Sequence, residues 1–274
     1  MHNVQWIKLD EVGSTNNFLR GLETQGGHRM TLVTAEFQTA GRGSGQNQWE
    51  SAKGENLLLS LRVMPTNLPA RRMFALSEAA ALAVRDSLSL TLGPHQTSPR
   101  GGLRAGLSPS GETEGGRPEE AFSVKWPNDI YYGDSKVAGM LIENDLQGSR
   151  VRSSVIGIGI NVNQRRFLSD APNPRSLADI VGHDVERRFV LERFMECMTQ
   201  HLDKIDSGEE DALDALHQSY KEHLYRLGEE HSYIDKGGIF RATLTDVEPT
   251  GHLVLRDTCG ILRRYAFKEV KFIL

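Results

Sequence analysis

Cysteine is nearly absent: the 274 residues contain two, Cys197 and Cys259, far apart in the chain. That excludes a disulfide-stapled scaffold and a cysteine-based zinc site, and it suits a reducing cytosol. No apolar run approaches the ~20 residues that a membrane-spanning helix needs. The first residues, Met1-His2-Asn3-Val4-Gln5-Trp6, lack the basic and apolar regions of a secretory leader. Neither sign of charge dominates, since 32 Lys and Arg against 36 Asp and Glu give a formal net charge of -4. A broad basic field for nucleic acid is thereby excluded. The expected setting is cytoplasmic, with no membrane and no nucleic-acid partner. The nine histidines show no His-Glu-x-x-His spacing, and Gly-x-Ser-x-Gly does not occur. A zinc hydrolase and a serine nucleophile elbow are excluded with them.

What is present is glycine, 27 residues unevenly placed. One concentration, residues 93–121, has no periodicity and few large apolar residues. It cannot offset the entropy of ordering and reads as a flexible insert. On either side the patterning is that of a folded sheet. Strands are expected at 4–9, 30–37, 56–64, 122–126, 136–144 and 153–162. Ser14 reads as the N-cap of a short helix carrying Phe18, Leu19 and Leu22. A helix over 69–90 starts at Pro69 and keeps Met73, Leu76, Ala80, Ala83, Val84 and Leu88 on one face. Two further helices carry the stripes Leu191 to Ile205 and Leu213 to Leu227. From His231 the character changes to short runs at 239–247, 252–257 and 261–267, punctuated by Gly237-Gly238, Thr250-Gly251 and Cys259-Gly260. That is the spacing of a small antiparallel barrel. The chain is therefore α+β. A domain over 1–228, with 93–121 inserted, is followed by a β domain over 229–274.

Three segments could carry chemistry. Ala40-Gly41-Arg42-Gly43-Ser44-Gly45-Gln46-Asn47-Gln48-Trp49 joins two strands. Its glycines would let backbone amides approach an anion, Arg42 offers a forked cation, Asn47 a polar side chain and Trp49 a flat face. A plain hairpin loop explains the glycines equally well. No Gly-Lys-Ser/Thr follows, so it is not a P-loop, and a strand rather than a helix comes next, so it is not a dinucleotide fingerprint. In Val124-Lys125-Trp126-Pro127-Asn128-Asp129, a lysine among apolar neighbours precedes a ladder-ending proline. It is either a cation aimed at an anion or a lysine on a solvated face. In residues 155–162, Ile156, Ile158, Ile160 and Val162 form a core face. Val155, Gly157, Gly159 and Asn161 form the other. Bare glycines in a strand mark close approach of a ligand or of another backbone.

In this order, these motifs resemble those of biotin–protein ligases. The carrying segments are Ser14-Thr15-Asn16, Glu36 to Gly43, Trp49, Lys125 to Ile130, Lys136-Val137-Ala138-Gly139 and Gly157 to Asn161. The resemblance spans nearly the whole chain. It implies a mixed sheet packed with helices, a class II synthetase-like catalytic domain, and a small SH3-like β-barrel. It further implies that ATP and biotin, with magnesium, give biotinyl-5'-adenylate and pyrophosphate. A lysine of a biotin carboxyl carrier protein or domain then attacks the adenylate. For biotin, the implied contacts are Ser14, Thr15, Gln38, Gly41, Arg42, Lys125, Gly139 and Gly157. For ATP or the adenylate they are Ser44, Asn47, Trp49, Asn128, Lys136 and Asn161. Lys125 and Arg42 would be catalytic through their charge, and no protein metal ligand is implied.

Two departures lie in the loop. Ser44 stands where the family has arginine or glutamine, and Gln46 where it has glycine, which predicts a looser closure over the adenylate. The first strand begins within ten residues of Met1, so no DNA-binding winged helix is expected. A monomer and a homodimer both fit. Lipoate or octanoate transfer within the same superfamily, and biotin binding without turnover, are the alternatives.

Overall fold

The structure, a computed structural model, describes residues 4–23, 28–45, 47–92, 122–168 and 173–274. The expected insert at 93–121 and Gln46 lie outside the described residues. The first sheet is built from β1 (Val4–Val12), β2 (Met30–Gln38), β3 (Leu57–Val63), β4 (Phe122–Lys125), β5 (Asp129–Tyr132), β6 (Ser135–Gln147) and β7 (Arg150–Ile160). Its order is β1-β2-β3-β7-β6-β5-β4. Among the described residues only the β1–β2 strand pair is parallel, so the sheet is mixed. A short helix, α1 (Thr15–Gly21), makes the crossover between β1 and β2. The longer helices are α2 (Ala75–Leu92), α4 (Arg187–Asp206) and α5 (Glu210–Glu222), with a single-turn α3 (Leu177–Val181) before them.

The two faces of the sheet have different cover. Leu57, Leu59, Leu61 and Val63 of β3 and Ile156, Ile158 and Ile160 of β7 point into one large core with α2, α4 and α5. Leu19 of α1 joins Val33 and Val155 in a much smaller cluster on the other face. The period-two reading of residues 155–162 therefore separates the faces as expected. α2 is alanine-rich because it is buried nearly all round, from Ala75 to Leu88, and small side chains let neighbours approach closely. It begins later than expected: residues 70–72 form a single 3-10 turn. Met73, at the joint, is 41% exposed rather than buried.

Between α2 and α5 lies a buried pair. His217 Nδ1 is 2.6 Å from Glu78 Oε1. Burial pushes the Glu78 carboxyl above its ordinary value of 4.5, and the contact with His217 opposes that push. A raised carboxyl contributes stability below its unfolded value and loses it as pH rises through the folded one. His217→Leu removes the opposing contact. It should therefore destabilise by about 1–3 kcal/mol near pH 8, and by less near pH 5. Thermal melts at the two pH values check this; equal losses at both would contradict it.

The second sheet has the order β11-β10-β9-β8-β12. Its strands are β8 (Glu230–Asp235), β9 (Gly238–Val247), β10 (Leu253–Asp257), β11 (Leu262–Tyr265) and β12 (Val270–Phe272). β11 and β12 are opposite edges, and a flat sheet would hold them about 19 Å apart. Residues 266–269 join them in one turn closed by Glu269 N–H donating to the Ala266 carbonyl at 3.1 Å, which keeps its ends within about 7 Å. The sheet must therefore curl into a barrel. Tyr265 Oη, donating to Asp235 Oδ2 at 2.8 Å, ties β11 to β8. Three strands escaped the sequence pattern: β5, β8 and β12. Among the described residues no helix is long and apolar enough to cross a membrane.

Candidate active site

The site is built on the sheet face that α1 covers. Gly139 of β6 and Gly159 of β7 are register partners and make its floor. Trp49 lies on them: a Cβ on Gly159 would stand 2.2 Å from Trp49 Cε2, and one on Gly139 would stand 2.9 Å from Trp49 Cζ3. Gly157 is covered in the same way by Asn16, whose Oδ1 would be 2.2 Å from an added Cβ. The bare glycine face is thus closely packed by two polar or amphipathic side chains. The Trp49 indole N–H is buried without an acceptor.

Thr15, Asn16, Gln38 and Ser60 form one polar network at the start of α1. Gln38 Oε1 accepts from Thr15 N–H at 2.7 Å and from Thr15 Oγ1 at 3.0 Å. Ser60 Oγ lies 2.7 Å from Thr15 Oγ1 and 2.5 Å from Asn16 Oδ1. Asn16 Nδ2 donates to the Leu141 carbonyl at 3.3 Å and to Glu143 Oε2 at 3.1 Å. Ser14 is buried and occupies the N-cap position, yet its hydroxyl makes no capping bond. Satisfied buried networks of this kind fix side-chain directions.

The loop from Gly41 to Trp49 folds back on itself. Trp49 N–H donates to the Gly41 carbonyl at 3.0 Å, and Gly43 N–H to the Asn47 carbonyl at 2.8 Å. This fold-back carries Trp49 onto the floor. Arg42 turns to the rim, where Nη1 donates to Asn17 Oδ1 at 2.8 Å and Nη2 is 3.6 Å from Glu143 Oε1. Ser44 and Asn47 are at the tip of the loop, and the Asn47 side chain is exposed.

The two lysines part company. Lys136 Nζ stands over the floor: it is 3.0 Å from the position of a Cβ on Gly139 and 5.8 Å from the centroid of the Trp49 ring. Asp129 Oδ2 holds it at 2.7 Å. Lys125 is on β4, two strands beyond β6, roughly 10 Å at ordinary strand spacing. Its ammonium is 5.5 Å from the centroid of Tyr131 and 4.8 Å from that of Phe272 in the second sheet. Burial lowers its affinity for the proton, and the nearby Asp129 charge opposes that.

The rest of the Lys-Trp-Pro-Asn-Asp run is equally engaged. Trp126 Nε1 donates to the Gly251 carbonyl at 3.0 Å, and Tyr220 Oη donates to the Pro127 carbonyl at 2.8 Å. Asn128 Nδ2 donates to Ser77 Oγ at 3.0 Å. Asn161 is buried, and its Nδ2 donates to the Lys136 carbonyl at 3.4 Å, so it steadies the strand beneath Lys136. The structure thus gathers Thr15, Gln38, Gly139, Gly157, Trp49 and Lys136 at one floor. It places Arg42 on the rim, Lys125 under the second sheet, and Asn128 against α2. Asn16, Ser60, Glu143 and Asp129 had no assigned role in the sequence. Ser60 carried one signal, a small polar residue at an alternate position in the run Leu57-Leu58-Leu59-Ser60-Leu61.

Residues 9–161 match the model of the biotin/lipoate A/B protein ligase family. A bifunctional ligase/repressor BirA of Bacillus spizizenii is 28% identical over 265 residues, 95% of this chain and 72% of that protein. A biotin–[acetyl-CoA-carboxylase] ligase of Paracoccus denitrificans is 26% identical over 236 residues, 83% of this chain and 85% of that protein. The biotin protein ligase of Aquifex aeolicus in complex with biotin and ATP superposes with a TM-score of 0.70 at 25% identity, covering 100% of both chains. With the site lying on the sheet that this match spans, the chain belongs to the biotin/lipoate A/B protein ligase family.

Proposed function

We propose that the protein activates biotin with MgATP as biotinyl-5'-adenylate and transfers the biotinyl group to a lysine of a biotin carboxyl carrier domain. The observation that carries this is the gathering of Lys136, Trp49 and the Thr15–Asn16–Gln38 polar network on one glycine floor. Ser14, Thr15, Asn16 and Gln38 offer hydroxyl and amide groups suited to the ureido ring, which presents both donors and an acceptor. Trp49 supplies an apolar wall beside it.

In the first step a biotin carboxylate oxygen attacks the α-phosphorus, and pyrophosphate leaves with the bonding electrons. Negative charge crowds the carboxylate and the α-phosphate together, and a preorganised cation there lowers the barrier. The geometry favours Lys136 for that cation over Lys125, because Lys136 faces the floor while Lys125 faces two rings. In the second step the acceptor lysine attacks the acyl carbon and AMP leaves; Lys136 again offsets charge on the departing phosphate. Among the described residues no three His, Cys, Asp or Glu side chains stand together as a metal site. Magnesium would enter with the nucleotide as MgATP, with phosphate oxygens among its ligands.

The expected result is pyrophosphate release from MgATP that requires biotin, followed by a mass gain on a carrier domain. Lipoate in place of biotin should not support it. Lipoate-dependent release without biotin-dependent release would favour the lipoate reading; biotin binding with no release would favour a binding protein.

A further inference from the structure

A nucleotide triphosphate needs cations, and the loop facing it is short of them. Between Gly41 and Trp49 the one charged residue is Arg42, and Asn17 and Glu143 hold its guanidinium at the rim. Lys136 is held by Asp129. Opposite the loop tip stands the turn that closes the second sheet. Lys268 Nζ lies 3.5 Å from the position of a Cβ on Gly45. Among the described residues its ammonium has no carboxylate partner, and its contact is the Phe267 ring, 5.6 Å from the centroid.

Two further observations concern the same turn. Lys268 has φ 75, in the left-handed region where glycine is at home and a long side chain is strained. Non-glycine residues held there concentrate at functional positions. Beside the turn is a cavity of about 190 Å³ with a mainly apolar wall that includes Met73, Phe74, Met140 and Phe267, and with the Ser44 and Thr250 hydroxyls at it. The Ser44 hydroxyl, next to Gly45, can donate to a phosphate oxygen.

We infer that Lys268 binds the β- and γ-phosphates of MgATP, supplying from the second sheet the cation that Ser44 and Gly45 do not. The inference rests on the ligase reading. Lys268 forms no bond in the reaction. The bond from the α-phosphorus to the bridging oxygen breaks as the carboxylate bond forms, and Lys268 offsets the charge gathering on pyrophosphate.

Lys268→Gly is the test, because it removes the charge and relaxes the backbone together. The KM for MgATP in biotin-dependent pyrophosphate release should rise about tenfold, the effect of one lost charged hydrogen bond. The KM for biotin should stay constant, and Tm should hold or rise. Lys268→Arg should keep the wild-type KM. Adding Ser44→Arg to Lys268→Gly should recover most of the loss by placing a cation on the facing loop. An unchanged KM for MgATP in Lys268→Gly overturns the inference. So does a rise confined to the KM for the carrier domain. Wild-type protein with no biotin-dependent release would overturn the ligase reading and this inference together, whereas active wild type with an unaltered variant removes only the role of Lys268.

Discussion

Lys136→Met lowers biotin-dependent pyrophosphate release by about 10²–10³-fold, the usual effect of losing one preorganised charge at a reacting centre. The magnitude follows from where the ammonium stands: over Gly139, beside Trp49, and fixed by Asp129 at 2.7 Å. The fold should tolerate the change. Asp129 keeps 25% of its side-chain surface in solvent, so water can satisfy the carboxylate, and partly exposed pairs of this kind contribute about 0–1 kcal/mol. Lys125→Met gives the opposite profile. Methionine preserves the apolar contact with Tyr131 and Phe272, so the rate should fall less than about threefold, as for a charge remote from the transition state. Pyrophosphate release by both variants, alongside their Tm values, decides the matter. A large loss at Lys125 with little at Lys136 would return the carboxylate-binding role to Lys125.

Gly157→Ala is expected to have the next largest effect, and it acts through another residue. The new methyl would stand 2.2 Å from Asn16 Oδ1 and 2.8 Å from its Cγ, so Asn16 must leave. Its exit breaks the contacts with Ser60, Leu141 and Glu143. Biotin loses the one amide partner that Asn16 offers, and at about 1–1.5 kcal/mol for a hydrogen bond its binding should weaken by roughly tenfold. Stability should fall too, by about 1–3 kcal/mol for buried groups left unpaired. Asn16→Ala combined with Gly157→Ala separates the two effects. The double variant makes room for the methyl and should regain stability without regaining biotin affinity, a non-additivity expected of touching residues. Equal biotin affinity in Gly157→Ala and wild type would remove Asn16 from the site.

Much of the scaffold was legible because it obeys local periodicity. The two faces of β7 separate at period two, since one must meet the helices and the other α1. The loop around Arg42 could be named from residue types alone, and the polar start of α1 from the resemblance to a known family. Which lysine serves the floor could not. Lys125 and Lys136 are both strand lysines beside glycine or proline, and their distinction depends on the order β7-β6-β5-β4, a long-range property. β5 was hidden because its four residues, Asp129-Ile130-Tyr131-Tyr132, directly follow Pro127-Asn128 and read as a turn. Gly157 and Gly159 pointed to close approach, but not to Asn16 and Trp49 as the approaching groups, because those arrive from distant parts of the chain.

The run from Lys125 to Asp129 has a consequence in terms of degrees of freedom. Five consecutive residues are anchored on four bodies: Phe272 and Gly251 of the second sheet, Tyr220 of α5, Ser77 of α2 and Lys136 of β6. The segment therefore has no internal hinge, and a displacement of the barrel, of either helix or of the floor lysine is a displacement of all of them.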